Sequence, residues 1–276
     1  MYSRMILWCV MILLTGCAGQ QGIVDKGEYQ VDLRHPARAS YPRVKVVVIH
    51  YTADHFHGSL RTLTGPDVSS HYLIPAQPPH LSGKPVIWQL VPEQQLAWHA
   101  GVSYWRGNQR INDISVGIEL ENSGFTQHGD KRQFYPFAPS QIAVLEKLLS
   151  DIIERYQIAP ENIVAHGDIA PQRKVDPGPL FPWEQLAERG IGAWPSSDRV
   201  AFYLNGRSVF EPVDQAHLLD LLARYGYQVT PEMTAMQLQQ VITAFQMHFR
   251  PQNYSGQADA ETQAIVEALL EKYGQG

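Results

Sequence analysis

Two histidines close apolar runs in this 276-residue chain: His50 follows Val46-Val47-Val48-Ile49, and His166 follows Ile163-Val164-Ala165. Side chains at strand ends are held rigidly beside a cleft, which is what a metal site asks of its ligands. Asp176 stands ten positions after His166, on the Pro-rich run Pro171–Gly178 that can fold back over the same strand end. Two imidazoles, one carboxylate and a fourth position open to water make a catalytic zinc set. Such an ion polarises a carbonyl and generates a nucleophile from water at neutral pH. On spacing alone both readings stay open, because a strand-end histidine also serves as a hydrogen-bonded core residue.

Rival chemistries lack their residues. The chain has no G-x-S-x-G elbow, no G-x-x-x-x-G-K phosphate loop, no dinucleotide fingerprint and no H-E-x-x-H. Its 22 Lys+Arg against 27 Asp+Glu leave a net charge of −5. No overall basic field attracts a phosphate backbone, and no nucleic-acid partner is expected. Eleven His against two Cys turn any metal search towards imidazole and carboxylate.

The elements that must hold the trio are legible from periodicity. Val44–His50 is apolar on both faces and predicts a central strand covered on both sides. Shorter strands are predicted at His71–Ile74, Val86–Val91, Ser115–Leu120 and Ile163–His166. Between them Ile142, Leu145, Leu149, Ile152 and Tyr156 form one stripe, predicting a helix over Pro139–Tyr156. The fold class is therefore α/β, a mixed central sheet flanked by helices. Residues 191–198, Gly- and Pro-containing, read as a linker. Beyond them three apolar stripes, around Leu218–Tyr225, Leu238–Phe249 and Ile265–Leu270, predict a small all-α three-helix domain over 199–276. Thr234-x-x-Gln237 is a capping box for the second helix and Asp259 an N-cap for the third.

The N-terminus reads as an export signal. Arg4 precedes an apolar run, Met5–Leu14, that is too short to span a bilayer. Leu14-Thr15-Gly16-Cys17 resembles a bacterial lipobox, which implies cleavage after residue 16 and acylation of Cys17 as a lipid (palmitate) anchor. Cys9 leaves with the signal, so cysteine catalysis is not expected. Ala18 after the cysteine implies, by the same resemblance, sorting to the outer membrane, with the protein facing the periplasm. Residues 17–36, polar and without clear period, read as a tether, and 37–190 as the catalytic domain.

The wording around the trio is more specific than its spacing. Ala165-His166-Gly167-Asp168-Ile169-Ala170-Pro171-Gln172-Arg173-Lys174-Val175-Asp176-Pro177-Gly178, followed by Phe181 and Trp183, resembles the signature of type-2 N-acetylmuramoyl-L-alanine amidases, the family that includes animal peptidoglycan-recognition proteins. Val48–Thr52, Ser70–Ile74 and Ser115–Asn122 resemble other segments of that family. The resemblance implies zinc held by His50, His166 and Asp176, with Glu119 as the catalytic carboxylate and Lys174 as the basic residue beside the metal. His99, in Ala97-Trp98-His99-Ala100-Gly101, resembles a cleft segment that contacts substrate. Glu121 shares Glu119's face by period two and competes with it for the role. Asp168, two positions after His166, is expected to orient that loop through local hydrogen bonds. His55, His57, His80 and His128 are expected to face solvent. The helical region, with Phe245-Gln246 and Gly256–Thr262, loosely resembles a three-helix peptidoglycan-binding domain.

Together these imply a monomeric zinc hydrolase acting on peptidoglycan or muropeptides. It would cut the amide between N-acetylmuramic acid, or its anhydro form, and L-alanine of the stem peptide, in cell-wall turnover. The alternatives are a non-catalytic peptidoglycan receptor on the same fold and a zinc peptidase acting within the stem.

Overall fold

The computed structural model describes residues 22–129 and 131–274. Residues 1–16, read above as an export signal, and Cys17 lie outside the described residues. The chain divides into two compact units between Tyr41 and Pro42. In the first, the stretch expected to be a plain tether contains a two-stranded hairpin, Ile23–Asp25 against Gln30–Asp32. Its turn is set by Gly27 at φ +90°, whose N–H donates to Asp25 Oδ1 at 2.8 Å. A hairpin this short shows no hydrophobic alternation, so periodicity misses it.

In the second unit the apolar runs become strands β1 (Val46–Tyr51), β2 (Tyr72–Ile74), β3 (Trp88–Gln89), β4 (Ser115–Leu120) and β5 (Ile163–Ala165). They form one sheet in the order β5-β1-β4-β2-β3. β5, β1, β4 and β2 run parallel, and β3 pairs antiparallel with β2. The sheet is mixed, as expected. The segment predicted to be a strand over 86–91 shrinks to two residues.

Both faces of β1 are covered, which is why its sequence is apolar throughout. Val47 and Ile49, with Val116, Ile118 and Leu120 of β4, pack on helix α1 (Pro139–Tyr156) through Ile142, Leu145, Leu149 and Ile152. Val46 and Val48 point the other way, into a cluster with Trp105, Ile111, Ile169, Leu218, Leu222, Phe245 and Phe249. Truncating one such buried residue to Ala typically costs about 2–5 kcal/mol. The opposite face of β4 carries Ser115, Gly117 and Glu119, paired in register with Val46, Val48 and His50. That alternation delivers the polar side chains of β4 to the side on which His50 stands.

Residues 197–274 contain four helices rather than three: α2 (Ser197–Leu204), α3 (Gln215–Tyr225), α4 (Ala235–Phe249) and α5 (Ala260–Tyr273). α2 has no fully buried residue, so its apolar stripe is too weak to read. An ion pair between Arg199 and Glu271, 2.8 Å, ties it to α5. The capping box forms as expected, with Thr234 N–H donating to Gln237 Oε1 at 2.9 Å. Asp259 caps α5, accepting from Thr262 N at 3.0 Å, while the buried Arg250 holds both its oxygens. The stretch read as a linker does not separate these helices from the sheet. Ile191 and Ala193 are buried, and the helices' core residues share a cluster with those of β1 and β5.

Candidate metal centre and active site

His50 lies near the end of β1 and His166 immediately after β5, with Ala165 paired to Ile49. The two rings therefore meet at the carboxyl end of the sheet, where parallel α/β sheets open their crevices. The Pro-rich loop folds back as predicted: Gly167 N–H donates to Asp176 O at 2.9 Å. Asp176 Oδ2 then stands 3.2 Å from His50 Nδ1 and 3.1 Å from His166 Nδ1, and the two Nδ1 atoms are 2.9 Å apart. All three residues are buried.

The donor set fits a metal ion. His166 Nε2 is 3.2 Å from Ala100 O, which can only accept, so the ring proton stands on Nε2 and the Nδ1 lone pair faces Asp176 and His50. A carboxylate oxygen and two ring nitrogens then converge with more lone pairs than protons to share. Ligand bonds of about 2.0–2.1 Å in a tetrahedral zinc site put donor atoms about 3.3 Å apart, near the spacing found. Among the described residues this is the one cluster of His, Cys, Asp or Glu with such convergence.

Electrostatics keep the ligands in metal-ready form. Burial, and next the neighbouring His166, push the His50 imidazole down to about 4. Burial by itself would raise Asp176, but positive charge on the Nδ1 side of His166 and His50, the place a bound cation would take, outweighs it and holds this carboxyl well below the usual range.

His50, His99, Glu119, His166, Lys174 and Asp176 line one cleft of about 430 Å³. Glu119 is paired in register with His50. Its Oε2 is buried with no hydrogen-bond partner, and burial, then the charge of Asp176, push the carboxyl up to about 8. Such an unengaged, perturbed carboxyl in a cleft is the mark of a proton-handling group. Glu121 is otherwise employed: its Oε1 accepts from Phe56 N at 2.8 Å and its Oε2 from Ala76 N at 2.7 Å. Lys174 is partly buried at the cleft, in the turn whose N–H groups donate to Ala170 O.

His99 is placed deeper than a substrate-contact reading expects. Its ring is buried, with Nδ1 3.0 Å from His50 Nε2 and Nε2 3.0 Å from Ser115 Oγ. The exposed side chain of that segment is Trp98. Asp168 does orient its loop, accepting from Ala165 N at 2.7 Å. Tyr227 and His248, which also bind it, carry no local signal in the sequence, since they lie 59 and 80 residues away. Ser115 and Gly117 were legible only as the polar positions of an alternating strand. His55, His57, His80 and His128 are exposed, as expected.

Residues 40–179 match the N-acetylmuramoyl-L-alanine amidase family. The chain is 64% identical over 274 residues, 99% of each chain, to N-acetylmuramoyl-L-alanine amidase AmiD of Escherichia coli (strain K12). The solved complex of the E. coli AmiD with the substrate anhydro-N-acetylmuramic acid-L-Ala-D-gamma-Glu-L-Lys superposes with a TM-score of 0.90 at 65% identity, covering 93% of this chain and all of that one. AmpDh3 from Pseudomonas aeruginosa in complex with anhydromuramic pentapeptide gives a TM-score of 0.80 at 38% identity, covering 91% of this chain and 99% of that one.

Proposed function

The chain belongs to the N-acetylmuramoyl-L-alanine amidase family, an amide hydrolase of the cell wall, and from that premise we propose that it works with zinc held by His50, His166 and Asp176. The substrate is a muropeptide or peptidoglycan, cut between the lactyl carbonyl of N-acetylmuramic acid, or its anhydro form, and the amine of L-alanine. The observation that carries the reading is the convergence of two Nδ1 atoms and Oδ2 within 2.9–3.2 Å beside the unengaged carboxyl of Glu119.

Bound there, zinc supplies a Lewis acid for the scissile carbonyl and lowers the pKa of water to about 7. Glu119 takes the proton of the attacking water and passes it to the leaving amine, work typically worth about 10²–10⁴ in rate. Lys174 places a positive charge where the carbonyl oxygen becomes an oxyanion. Water adds to the carbonyl carbon, the C–N bond breaks, and the products are the sugar's lactyl carboxylate and the free amine of the intact stem.

A lipid anchor at Cys17 holds the enzyme on the outer membrane facing the periplasm, where it acts as a monomer in wall turnover. The lipobox wording supports the anchor. Among the described residues no helix is long and apolar enough to cross a membrane.

Mass spectrometry of muropeptide digests, with elemental analysis of the protein, tests the reaction and its metal. The expected result is sugar and intact stem as the paired products, with about one zinc per chain, and loss of both metal and turnover in His166→Ala. Free amino acids released from the stem, no turnover by the zinc-loaded parent, or full activity without metal would overturn it.

A further inference from the structure

We infer that His99 is a positioning residue of the metal centre, fixing the proton of His50 on Nε2 so that its Nδ1 lone pair is available to the ion. The inference rests on the metal-centre reading above and goes beyond it.

A neutral imidazole carries one ring proton, and the nitrogen that holds a metal must be the other one. For His50 the ligand atom is Nδ1, which faces His166 Nδ1 and Asp176 Oδ2. Its Nε2 must then be the N–H, and that N–H needs an acceptor in a buried site. The acceptor is His99 Nδ1 at 3.0 Å. Having accepted there, His99 carries its own proton on Nε2, which meets Ser115 Oγ at 3.0 Å. A hydroxyl both donates and accepts, so Ser115 can end the chain in either polarity. Loading His50 Nδ1 selects one of them: His50 Nε2–H to His99 Nδ1, and His99 Nε2–H to Ser115 Oγ. Metal-bound histidines are commonly oriented in this way by a carboxylate or carbonyl on the second nitrogen, and His166 has Ala100 O in that place. His50 has an imidazole instead.

The backbone is shaped to admit that ring. Gly117 is a glycine in the interior of a central strand, normally an unfavourable choice that marks a close approach. A Cβ built on it would lie 2.5 Å from His99 Cγ and 2.7 Å from Nδ1. The Ser115-x-Gly117-x-Glu119 face of β4 thus supplies the terminal acceptor, the room for the ring and the proposed proton carrier at successive period-two positions.

The test measures zinc affinity of the full chain by chelator competition, and the ring protons of His99 by ¹⁵N-resolved NMR with and without zinc. His99→Leu is expected to weaken zinc binding by about 10–100-fold, the usual cost of removing an orienting partner. His99→Asn, which keeps an acceptor oxygen near the former Nδ1, is expected to retain most of the affinity. Gly117→Ala, which displaces the ring, is expected to behave like His99→Leu. Melting of the metal-free His99→Leu protein should match the metal-free parent, separating the effect from a general loss of packing. In the zinc-loaded parent the His99 proton should reside on Nε2; this readout needs no variant and stands even where one fails to fold. A parent that binds no zinc overturns the metal-centre reading and this inference with it. A tight-binding parent beside an equally tight His99→Leu, or a zinc-loaded parent with the His99 proton on Nδ1, overturns this inference alone.

Discussion

Tyr227 donates its hydroxyl to Asp168 Oδ1 at 2.6 Å, reaching from the helical region to the turn that carries His166. Asp168 is 1% exposed, and its Oδ2 accepts from Ala165 N and from His248 Nδ1, each at 2.7 Å. A buried carboxylate persists only when its oxygens are bonded. The region 197–274 therefore completes the hydrogen bonding of a side chain two residues from His166, and its His248 stacks on Trp183 with ring centroids 3.8 Å apart. Whatever else it binds, it is part of the framework of the site.

Removing the Tyr227 hydroxyl leaves Asp168 Oδ1 buried and short of a donor. Tyr227→Phe is expected to lower the unfolding free energy by about 1.5–3 kcal/mol, the range for a bond to a charged group. Denaturant unfolding of parent and variant measures it; an unchanged midpoint would show that Asp168 is satisfied without the Tyr227 hydroxyl.

Glu119 and Glu121 should separate function from structure. Glu119→Ala is expected to keep zinc and fold while kcat falls at least about 10²-fold. Glu121→Ala releases the N–H groups of Phe56 and Ala76 and is expected to lower Tm with a much smaller effect on kcat. Chromatographic assay of muropeptide cleavage at equal zinc occupancy, alongside thermal melting, distinguishes them. Equal activity of parent and Glu119→Ala would remove this carboxylate from the mechanism.

A third expectation concerns acid. Burial would raise Glu93, but hydrogen bonds from Arg155, Tyr72 and Tyr156 hold its carboxyl down to about 2 against an ordinary 4.5. A carboxyl depressed in the folded state contributes stability that is fully present above its unfolded pKa and is lost as pH falls through its folded one. The stability advantage of the parent over Glu93→Gln should therefore be constant above about pH 5 and shrink between about 4.5 and 2. Denaturation of chelator-treated protein across this range measures it without a contribution from metal release. A gap that stays constant down to pH 2 would contradict the ionised cluster.

Anchoring is tested at Cys17. The anchor proposed at Cys17, three acyl chains at about 0.8 kcal/mol per buried CH₂, would hold the protein on a bilayer essentially irreversibly, so Cys17→Ala is expected to move from the outer-membrane fraction to the soluble one. Equal co-sedimentation of variant and parent would mean that the lipobox reading is wrong or that wall binding dominates.

The sequence by itself determined the elements whose signal is local. β4 is found where the alternation of Ser115–Leu120 places it, and α1 spans the predicted Pro139–Tyr156, because period-two and period-3.6 burial are written into consecutive residues. The wording of 165–178 pointed to His166 and Asp176 and that of 48–52 to His50, and strand ends explained how the two histidines could meet. Tertiary structure alone decided the rest, because it depends on distances between residues far apart in the chain. His99 is 49 residues from His50 and 16 from Ser115, and only the parallel pairing of β1 with β4 puts its ring between them. The same holds for Asp168, whose local bond to Ala165 was legible while its partners, Tyr227 just beyond α3 and His248 on α4, arrive from a helical region that the periodicity could predict but not dock. Periodicity reports which face of an element is buried; it carries no information about what buries it.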